Sequence, residues 1–237
     1  MTEEEWIKIG NNWKTTSSKV QILFPTLDSI MGDISGKEIL DSGCGDGAFI
    51  RRCKEKDAIT MGIDISDKAI EGCKNSDPLG KYLIMDTKNI ILEEEFDWVL
   101  SLFVLLSFDN KKKIEDAIKS MGQRLNKTGK LVIVIPHPTF EESDNAETMK
   151  RSFDEEYLYS KKGLKINYKS KTKGYLAFTD FHWMIEDYVE CIKKAGLVIE
   201  DIKEPIPAEK YKEENLDIYT KRVKYPTMIV FVCSRKR

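Results

Sequence analysis

Residues 39–47 read Ile-Leu-Asp-Ser-Gly-Cys-Gly-Asp-Gly, a short apolar run that ends in a glycine-rich turn. The apolar run predicts a buried β-strand, and the spacing of Phe49, Ile50 and Cys53 predicts a helix directly after the turn. Glycines at such a junction let the backbone turn sharply and bring its N–H groups against a ligand at the helix N-terminus. The stretch therefore predicts a ligand-binding strand–turn–helix unit.

An acidic residue follows this turn further along the chain. Asp64 closes the next predicted strand, about 20 residues after the glycines, where a carboxylate binds ribose hydroxyls in dinucleotide-binding folds. Gly43, Gly45 and Ala48 also satisfy the loose pattern G-x-G-x-x-G/A, so the glycines alone leave a nicotinamide cofactor open. Asp41 disfavours that cofactor, because a carboxylate directly before the turn would face a pyrophosphate and instead suits a cationic, amino-bearing ligand.

The chain around this unit alternates β-rich runs with helical stretches. Further strands are predicted at Thr60–Ile65, Tyr82–Met85, Phe96–Leu102, Lys130–Ile135, Leu197–Ile202 and Thr227–Cys233. Apolar residues at steps of three and four predict one amphipathic helix, ended by Thr128-Gly129, through Ile114, Ala117, Ile118, Met121 and Leu125. This alternation predicts an α/β fold with a doubly wound, mostly parallel, seven-stranded sheet.

Two further segments differ from this alternation, and we expect both to belong to one domain spanning residues 1–237. Residues 1–35 are predicted to be a helical cover, with apolar contacts from Trp6, Ile7, Trp13, Val20, Ile22 and Leu23. Residues 138–180, called the insertion below, are polar and rich in aromatics, which predicts short strands or a hairpin. Residues 36–137 then form the ligand-binding core, and 181–237 the last helix and strands.

The amino-acid composition disfavours several classes of function. Lysine plus arginine (38) nearly cancel aspartate plus glutamate (40), which disfavours a nucleic-acid partner, because phosphate neutralisation usually requires a basic excess. The five cysteines are scattered without a CxxC pair, so neither a disulfide framework nor a metal site is expected. The acidic N-terminus and the short apolar runs predict no signal peptide and no membrane contact, hence a cytoplasmic protein.

Residues 39–47 resemble the first motif of class I S-adenosylmethionine-dependent methyltransferases, and Phe96-Asp97-Trp98-Val99 is similar to the fourth-strand FD-x-V stretch of that family. Ile135-Pro136-His137-Pro138-Thr139-Phe140 and parts of residues 178–207 resemble its small-molecule, type 11-like branch, although Trp183 stands where that branch usually has arginine. The resemblance implies the Rossmann-like methyltransferase fold, with the seventh strand antiparallel.

The resemblance also implies a set of residues that bind S-adenosylmethionine: Asp41, Gly43, Cys44, Gly45, Asp64, Ile65, Met85, Asp86, Thr87, Ser101 and Leu102. In this assignment the glycine turn lies against the methionine portion, Asp64 binds the ribose and Asp86 contacts the adenine amino group. Ser101 and Leu102 lie under the reactive methionine.

His137 and His182 are the only histidines of the chain. A hydroxyl acceptor must lose its proton before it can be methylated, and histidine titrates near neutrality, so both are candidate catalytic bases. Structural roles stay open for each. The expected reaction moves a methyl group to an oxygen or nitrogen of a small metabolite by in-line displacement, releasing S-adenosylhomocysteine.

The insertion is rich in lysine, which leaves open either a solvated surface or a lid that closes over an anionic acceptor. Three other functions also stay open: an RNA or protein methyltransferase, a nicotinamide enzyme, and a non-catalytic S-adenosylmethionine-binding module. Amino-methylating nucleic-acid enzymes carry an (Asp/Asn)-Pro-Pro-aromatic stretch after strand four, and here residues 101–104 read Ser-Leu-Phe-Val. The oligomeric state is not predicted.

Overall fold

Ten strands organise the chain, which a computed structural model describes over residues 5, 15–16, 19–137, 149–171 and 177–236. In chain order they are β1 Glu38–Ser42, β2 Ile59–Asp64, β3 Lys81–Ile84, β4 Phe96–Leu102, β5 Leu125–Pro136, β6 Met149–Phe153, β7 Leu164–Ser170, β8 Ala177–His182, β9 Leu197–Lys203 and β10 Met228–Arg235.

Seven of these strands form one sheet in the order β3-β2-β1-β4-β5-β10-β9. The pairs from β3 to β5 are all parallel, whereas β10 runs antiparallel to both β5 and β9. The order reverses direction between β1 and β4, which is the point at which doubly wound sheets bind their ligands. The predicted seven-stranded, mostly parallel sheet with an antiparallel seventh strand is confirmed.

Helices cover both faces of this sheet. In chain order they are α1 Phe24–Met31, α2 Ala48–Lys54, α3 Asp67–Ser76, α4 Lys111–Gly122, α5 Ile185–Lys194, α6 Tyr211–Glu214 and α7 Leu216–Lys224. A π-helical turn, Lys19–Leu23, leads into α1. The hydroxyl of Ser66 accepts a hydrogen bond from the Ala69 N–H at 3.3 Å and caps α3, as its sequence predicts. No helix within the described ranges is both long and apolar enough to span a membrane.

Side chains of successive strand residues pack into two different hydrophobic cores, one on each face of the seven-stranded sheet. Leu40 of β1 packs with α4 and α5, while its neighbour Ile39 packs with α1, α2 and α3. This alternation follows from the two-residue period of a strand and requires apolar residues at every position. Burial on both faces therefore explains why the central strands have near-continuous apolar sequences.

The predicted boundary between α4 and β5 is wrong. The helix ends at Gly122, and Leu125 pairs with Phe96 as the first residue of β5 instead of continuing the apolar face of α4. The register between β4 and β5 then shifts after Phe96, so that the Thr128-Gly129 turn signal marks an irregularity inside a strand. A side chain at Gly129 would lie 2.6 Å from the carbonyl oxygen of Phe96, so glycine permits this close approach.

The insertion forms a second, three-stranded antiparallel sheet in the order β6-β7-β8, which continues to His182, two residues past the predicted boundary. Ile166, Tyr168 and Phe178 form its own small core. Residues 138–148 and 172–176 of the insertion, and the predicted contacts of Trp6, Ile7 and Trp13, lie outside the described residues.

Ile22 and Leu23 are buried as predicted, whereas Val20 is 46% exposed. The helices α6 and α7 between β9 and β10 were not predicted. Their only buried residue is Arg222, so no apolar stripe marks them in the sequence.

Candidate functional site

The carboxyl ends of β1, β2 and β4 bring polar side chains to one edge of the large sheet. Asp41 lies near the end of β1, Asp64 ends β2, and Ser101 lies near the end of β4; all three are buried. Asp86 follows β3 at the same edge. We call this the acidic edge. Its position at the switch in strand order is where an α/β sheet binds a ligand.

The glycine turn has a backbone shape that other residues adopt poorly. Gly43 has a φ of +82°, in the left-handed region, and a Cβ there would lie 2.4 Å from Cγ2 of Val104. The N–H groups of Gly43 and Cys44 both donate to the carbonyl of Ile63, at 2.8 and 2.9 Å. The turn is therefore held against β2 while the loop after β4 approaches it closely.

Asp64 connects this turn to the second strand. One carboxylate oxygen accepts the Gly45 N–H and the other accepts the Ser66 N–H, both at 2.9 Å. Burial raises the pKa of Asp64, and these hydrogen bonds partly oppose the shift. Each carboxylate oxygen has two lone pairs, so Asp64 retains capacity to accept ribose hydroxyls. Ile65, directly after it, is half-buried beside the same edge.

The surroundings of Asp41 discriminate between a cationic ligand and a pyrophosphate. It is 2% exposed, and its Oδ1 has no hydrogen-bond partner among the described residues. Burial, followed by repulsion from Asp64, raises its pKa to about 7. A buried carboxylate oxygen without a donor is costly unless a ligand supplies one. The site therefore fits an amino-bearing cation such as the methionine portion of S-adenosylmethionine, and fits a pyrophosphate badly.

The residues assigned to adenine follow β3. Asp86 pairs with the ammonium of Lys88 at 3.0 Å, and Met85 is half-buried against the core. The hydroxyl of Ser42 donates to that of Thr87 at 3.0 Å, which ties the end of β1 to the loop after β3. Thr87 therefore makes a structural hydrogen bond, in addition to the role that the family resemblance assigns to it.

Ser101, Leu102 and Cys44 surround the region assigned to the reactive methionine. Ser101 is fully buried, and its hydroxyl has no partner among the described residues, whereas Leu102 is half-buried. Contact with Cys73, together with burial, raises the pKa of the Cys44 thiol well above its ordinary value. Cys44 is therefore a neutral packing residue and a poor nucleophile.

The two histidines lie at the ends of strands that belong to different sheets. His137 follows β5, and its Nε2 lies 2.7 Å from Oε1 of Glu204, just past β9. His182 ends β8 with no exposed surface; its Nε2 lies 2.7 Å from the carbonyl of Tyr159, and its ring contacts that of Tyr157. Within the described part of the chain, no three His, Cys, Asp or Glu side chains gather as metal ligands would.

The segment before α1 contributes contacts that the sequence did not indicate. The N–H and hydroxyl of Thr15 donate to the carboxylate of Asp46 at 2.7 and 2.8 Å. Lys19 places its ammonium 4.7 Å from the ring centroid of Phe103, just after β4. No local sequence pattern predicts either contact, because each contact joins segments that are far apart in the chain.

Comparison with known proteins agrees with this geometry. Residues 40–133 match the family described as a methyltransferase domain. The N-demethylindolmycin N-methyltransferase of Streptomyces griseus is 25% identical over 67% of this chain and 68% of its own. The ubiquinone biosynthesis O-methyltransferase of Nitrosomonas europaea is 30% identical, over 31% of this chain and 34% of its own.

The fold also matches solved structures. An S-adenosylmethionine-dependent methyltransferase from Mesorhizobium loti superposes with a TM-score of 0.67 at 19% identity, covering 89% of this chain and 96% of that one. The chain thus has the fold of S-adenosylmethionine-dependent methyltransferases, and residues 40–133 match a methyltransferase domain.

Proposed function

We propose that the chain methylates an oxygen or nitrogen of a small metabolite. The observation that carries this proposal is the N-terminal segment, which contacts the glycine turn through Thr15 and Asp46 and the insertion sheet through Glu5 and Thr179. A site enclosed in this way admits small acceptors more readily than a folded RNA or protein. The N- and O-methyltransferases that resemble the chain support the same class of acceptor.

The chain's own residues supply binding and orientation. S-adenosylmethionine, when bound, supplies an electrophilic methyl group on its sulfonium sulfur. Asp64 would hold the ribose, Asp86 the adenine amino group and Asp41 the ammonium, which fixes the direction of approach. Positioning and the exclusion of water by the cover then provide most of the acceleration.

His137 is the proposed base, because it lies at the carboxyl edge of the large sheet. With Nε2 donating to Glu204, the lone pair of the neutral ring lies on Nδ1, which can take a proton from the acceptor. His182 is the weaker candidate, since its ring is fully buried against Tyr159 in this conformation.

Replacing His137 with glutamine is expected to lower turnover by about 10²–10⁴-fold, the usual contribution of a general base. Affinity for S-adenosylhomocysteine, measured by calorimetry, should stay the same, because His137 lies outside the set assigned to the cofactor. His182→Gln serves for comparison and should mainly lower the melting temperature. Unchanged turnover in His137→Gln would remove this residue from the mechanism.

Affinity for S-adenosylhomocysteine is expected to weaken as the pH falls through about 7. Asp41 has a pKa of about 7 without ligand, and the ligand's ammonium binds only its charged form, so binding below that pH must release a proton. The loss should approach tenfold per pH unit at low pH. Calorimetry from pH 5.5 to 8 should find this slope in the wild type and a weak, flat profile in Asp41→Asn; a flat wild-type profile would contradict the assignment.

The acceptor class is tested with S-adenosylmethionine labelled in its methyl group and an extract of the source cells. Ultrafiltration separates the extract into small metabolites and macromolecules before each fraction is incubated with the protein. We expect label to accumulate in the small-metabolite fraction. Label in RNA or protein would establish the macromolecular alternative, and binding of S-adenosylhomocysteine without any transfer would indicate a non-catalytic module.

A further inference from the structure

Thr227 has a buried hydroxyl that none of the described residues pairs. It directly precedes β10 and is 8% exposed, and its Oγ1 has no hydrogen-bond partner in the described part of the chain. A buried hydroxyl without a partner is costly, and valine has nearly the same shape without that cost. The hydroxyl therefore fits a ligand that supplies the missing hydrogen bond.

The strand register places Thr227 beside His137. Met228 pairs with Pro136 in the antiparallel ladder between β10 and β5. The N–H of His137 donates to the carbonyl of Thr227 at 3.0 Å, which continues the pairing by one residue. Directly opposed residues of such a ladder have side chains on the same face, with Cβ atoms about 4.5–5.5 Å apart. Thr227 and His137 are therefore neighbours at the carboxyl end of β5.

Glu204 approaches the same place from the third of three adjacent strands. The sheet order is β5-β10-β9, and Val230 pairs with Lys203, so Glu204 follows β9 beside the first residues of β10. Oε1 of Glu204 lies 2.7 Å from Nε2 of His137. A carboxylate, an imidazole and a hydroxyl thus come from neighbouring strands at one edge of the sheet.

A hydroxyl donor beside a base suits an oxygen acceptor better than a nitrogen acceptor. A hydroxyl oxygen has two lone pairs, so one can attack the methyl group while the other accepts a hydrogen bond from Thr227. The nitrogen of a neutral amine has a single lone pair, which the attack uses. A hydroxyl must also lose its proton, which requires a base, whereas a neutral amine can attack without one.

Resting on the proposed function, we propose that the acceptor is a hydroxyl compound and that Thr227 donates a hydrogen bond to its reacting oxygen. His137 takes the hydroxyl proton. The oxygen forms a bond to the methyl carbon while the carbon–sulfur bond breaks, and the electron pair of that bond stays on the sulfur. The hydrogen bond from Thr227 stabilises the negative charge that develops on the oxygen as the proton leaves.

The first test identifies the methylated atom. The small-metabolite fraction is incubated with the protein and S-adenosylmethionine that contains ¹³C in its methyl group, and the chemical shifts of the transferred methyl are measured by NMR. We expect an O-methyl product that mild alkali leaves intact. An N-methyl product, or an ester that alkali cleaves to methanol, overturns this inference while the proposed function of small-metabolite methylation stands. Absence of any O- or N-methylated small product refutes the proposed function itself.

The second test assigns the role to Thr227. The fraction is diluted until the rate is proportional to its amount, so that rates compare kcat/KM between variants. Thr227→Val should lower kcat/KM by about tenfold to a hundredfold, as expected for a lost hydrogen bond to a group that becomes charged. Thr227→Ser keeps the hydroxyl and should retain most of the activity.

Stability and cofactor affinity separate this role from a structural one. The melting temperature of Thr227→Val should be equal to or above that of the wild type, because the lost hydroxyl has no partner among the described residues. Affinity for S-adenosylhomocysteine should stay the same. Thr220→Val, at an exposed threonine of α7, is the matched control and should behave as the wild type. An unchanged kcat/KM in Thr227→Val, or a loss of activity accompanied by a lower melting temperature, overturns the proposal.

Discussion

Replacing Gly43 with alanine is expected to lower affinity for S-adenosylhomocysteine by about a hundredfold and the free energy of unfolding by about 2–4 kcal/mol. Two costs contribute. The φ of +82° is strained for a residue with a Cβ, and that Cβ would lie 2.4 Å from Val104, so the turn or the loop after β4 must move. Calorimetry measures the affinity, and urea denaturation measures the stability.

Two further variants separate these costs. Gly196 has a φ of +78° with nothing within 4 Å of an added Cβ, so Gly196→Ala carries the strain without the clash. It should lose stability by about 1–2 kcal/mol and bind S-adenosylhomocysteine normally. Adding Val104→Ala to Gly43→Ala should recover part of the binding. Normal binding by Gly43→Ala alone would show that the turn does not contact the cofactor.

Replacing Asp187 with alanine is expected to destabilise the protein by about 3 kcal/mol, because removal of this buried charge leaves its hydrogen-bond donors without an acceptor. The carboxylate is fully buried and accepts from Lys111 at 2.8 Å, from Lys162 at 2.9 Å and from the Met184 N–H at 3.2 Å. These contacts join α4, α5 and the insertion. Urea denaturation at pH 7 measures the loss.

The pH dependence of this contribution has a defined sign. Burial acts to raise the pKa of Asp187, but the hydrogen bonds from Lys111 and Lys162 outweigh it and hold the pKa below its ordinary value. The contribution is therefore complete above the unfolded pKa of about 3.9 and is lost as the pH falls through the lower folded value. Glu190→Gln, at an exposed partner of Lys111, should cost much less. Equal losses in the two variants would contradict the role of burial.

The core of the fold could be predicted from the sequence because its signals are local. Alternating apolar runs located the strands, and the glycine turn together with Asp64 located the acidic edge. The antiparallel direction of the seventh strand followed from the family resemblance. The α4–β5 boundary was wrong because Thr128-Gly129, a turn signal, lies at a register shift within β5.

The unpredicted part of the site depends on contacts between distant segments. Lys19 and Glu204 are ordinary charged residues in the sequence, and only the folded chain places Lys19 beside Phe103 and Glu204 beside His137. Helices α6 and α7 lack a buried apolar stripe, so periodicity could not reveal them. Local patterns thus located the acidic edge, whereas the contacts of Lys19 and Glu204 required the tertiary structure.

The central claim is that the acidic edge binds S-adenosylmethionine through Asp64 and its neighbours. Calorimetric titration at pH 8 with S-adenosylhomocysteine, and separately with NADH, tests it most directly. We predict one molecule of S-adenosylhomocysteine bound per chain, an affinity at least about tenfold weaker in Asp64→Ala, and no heat from NADH. Binding of NADH in place of S-adenosylhomocysteine, or equal affinity in wild type and Asp64→Ala, would contradict the claim.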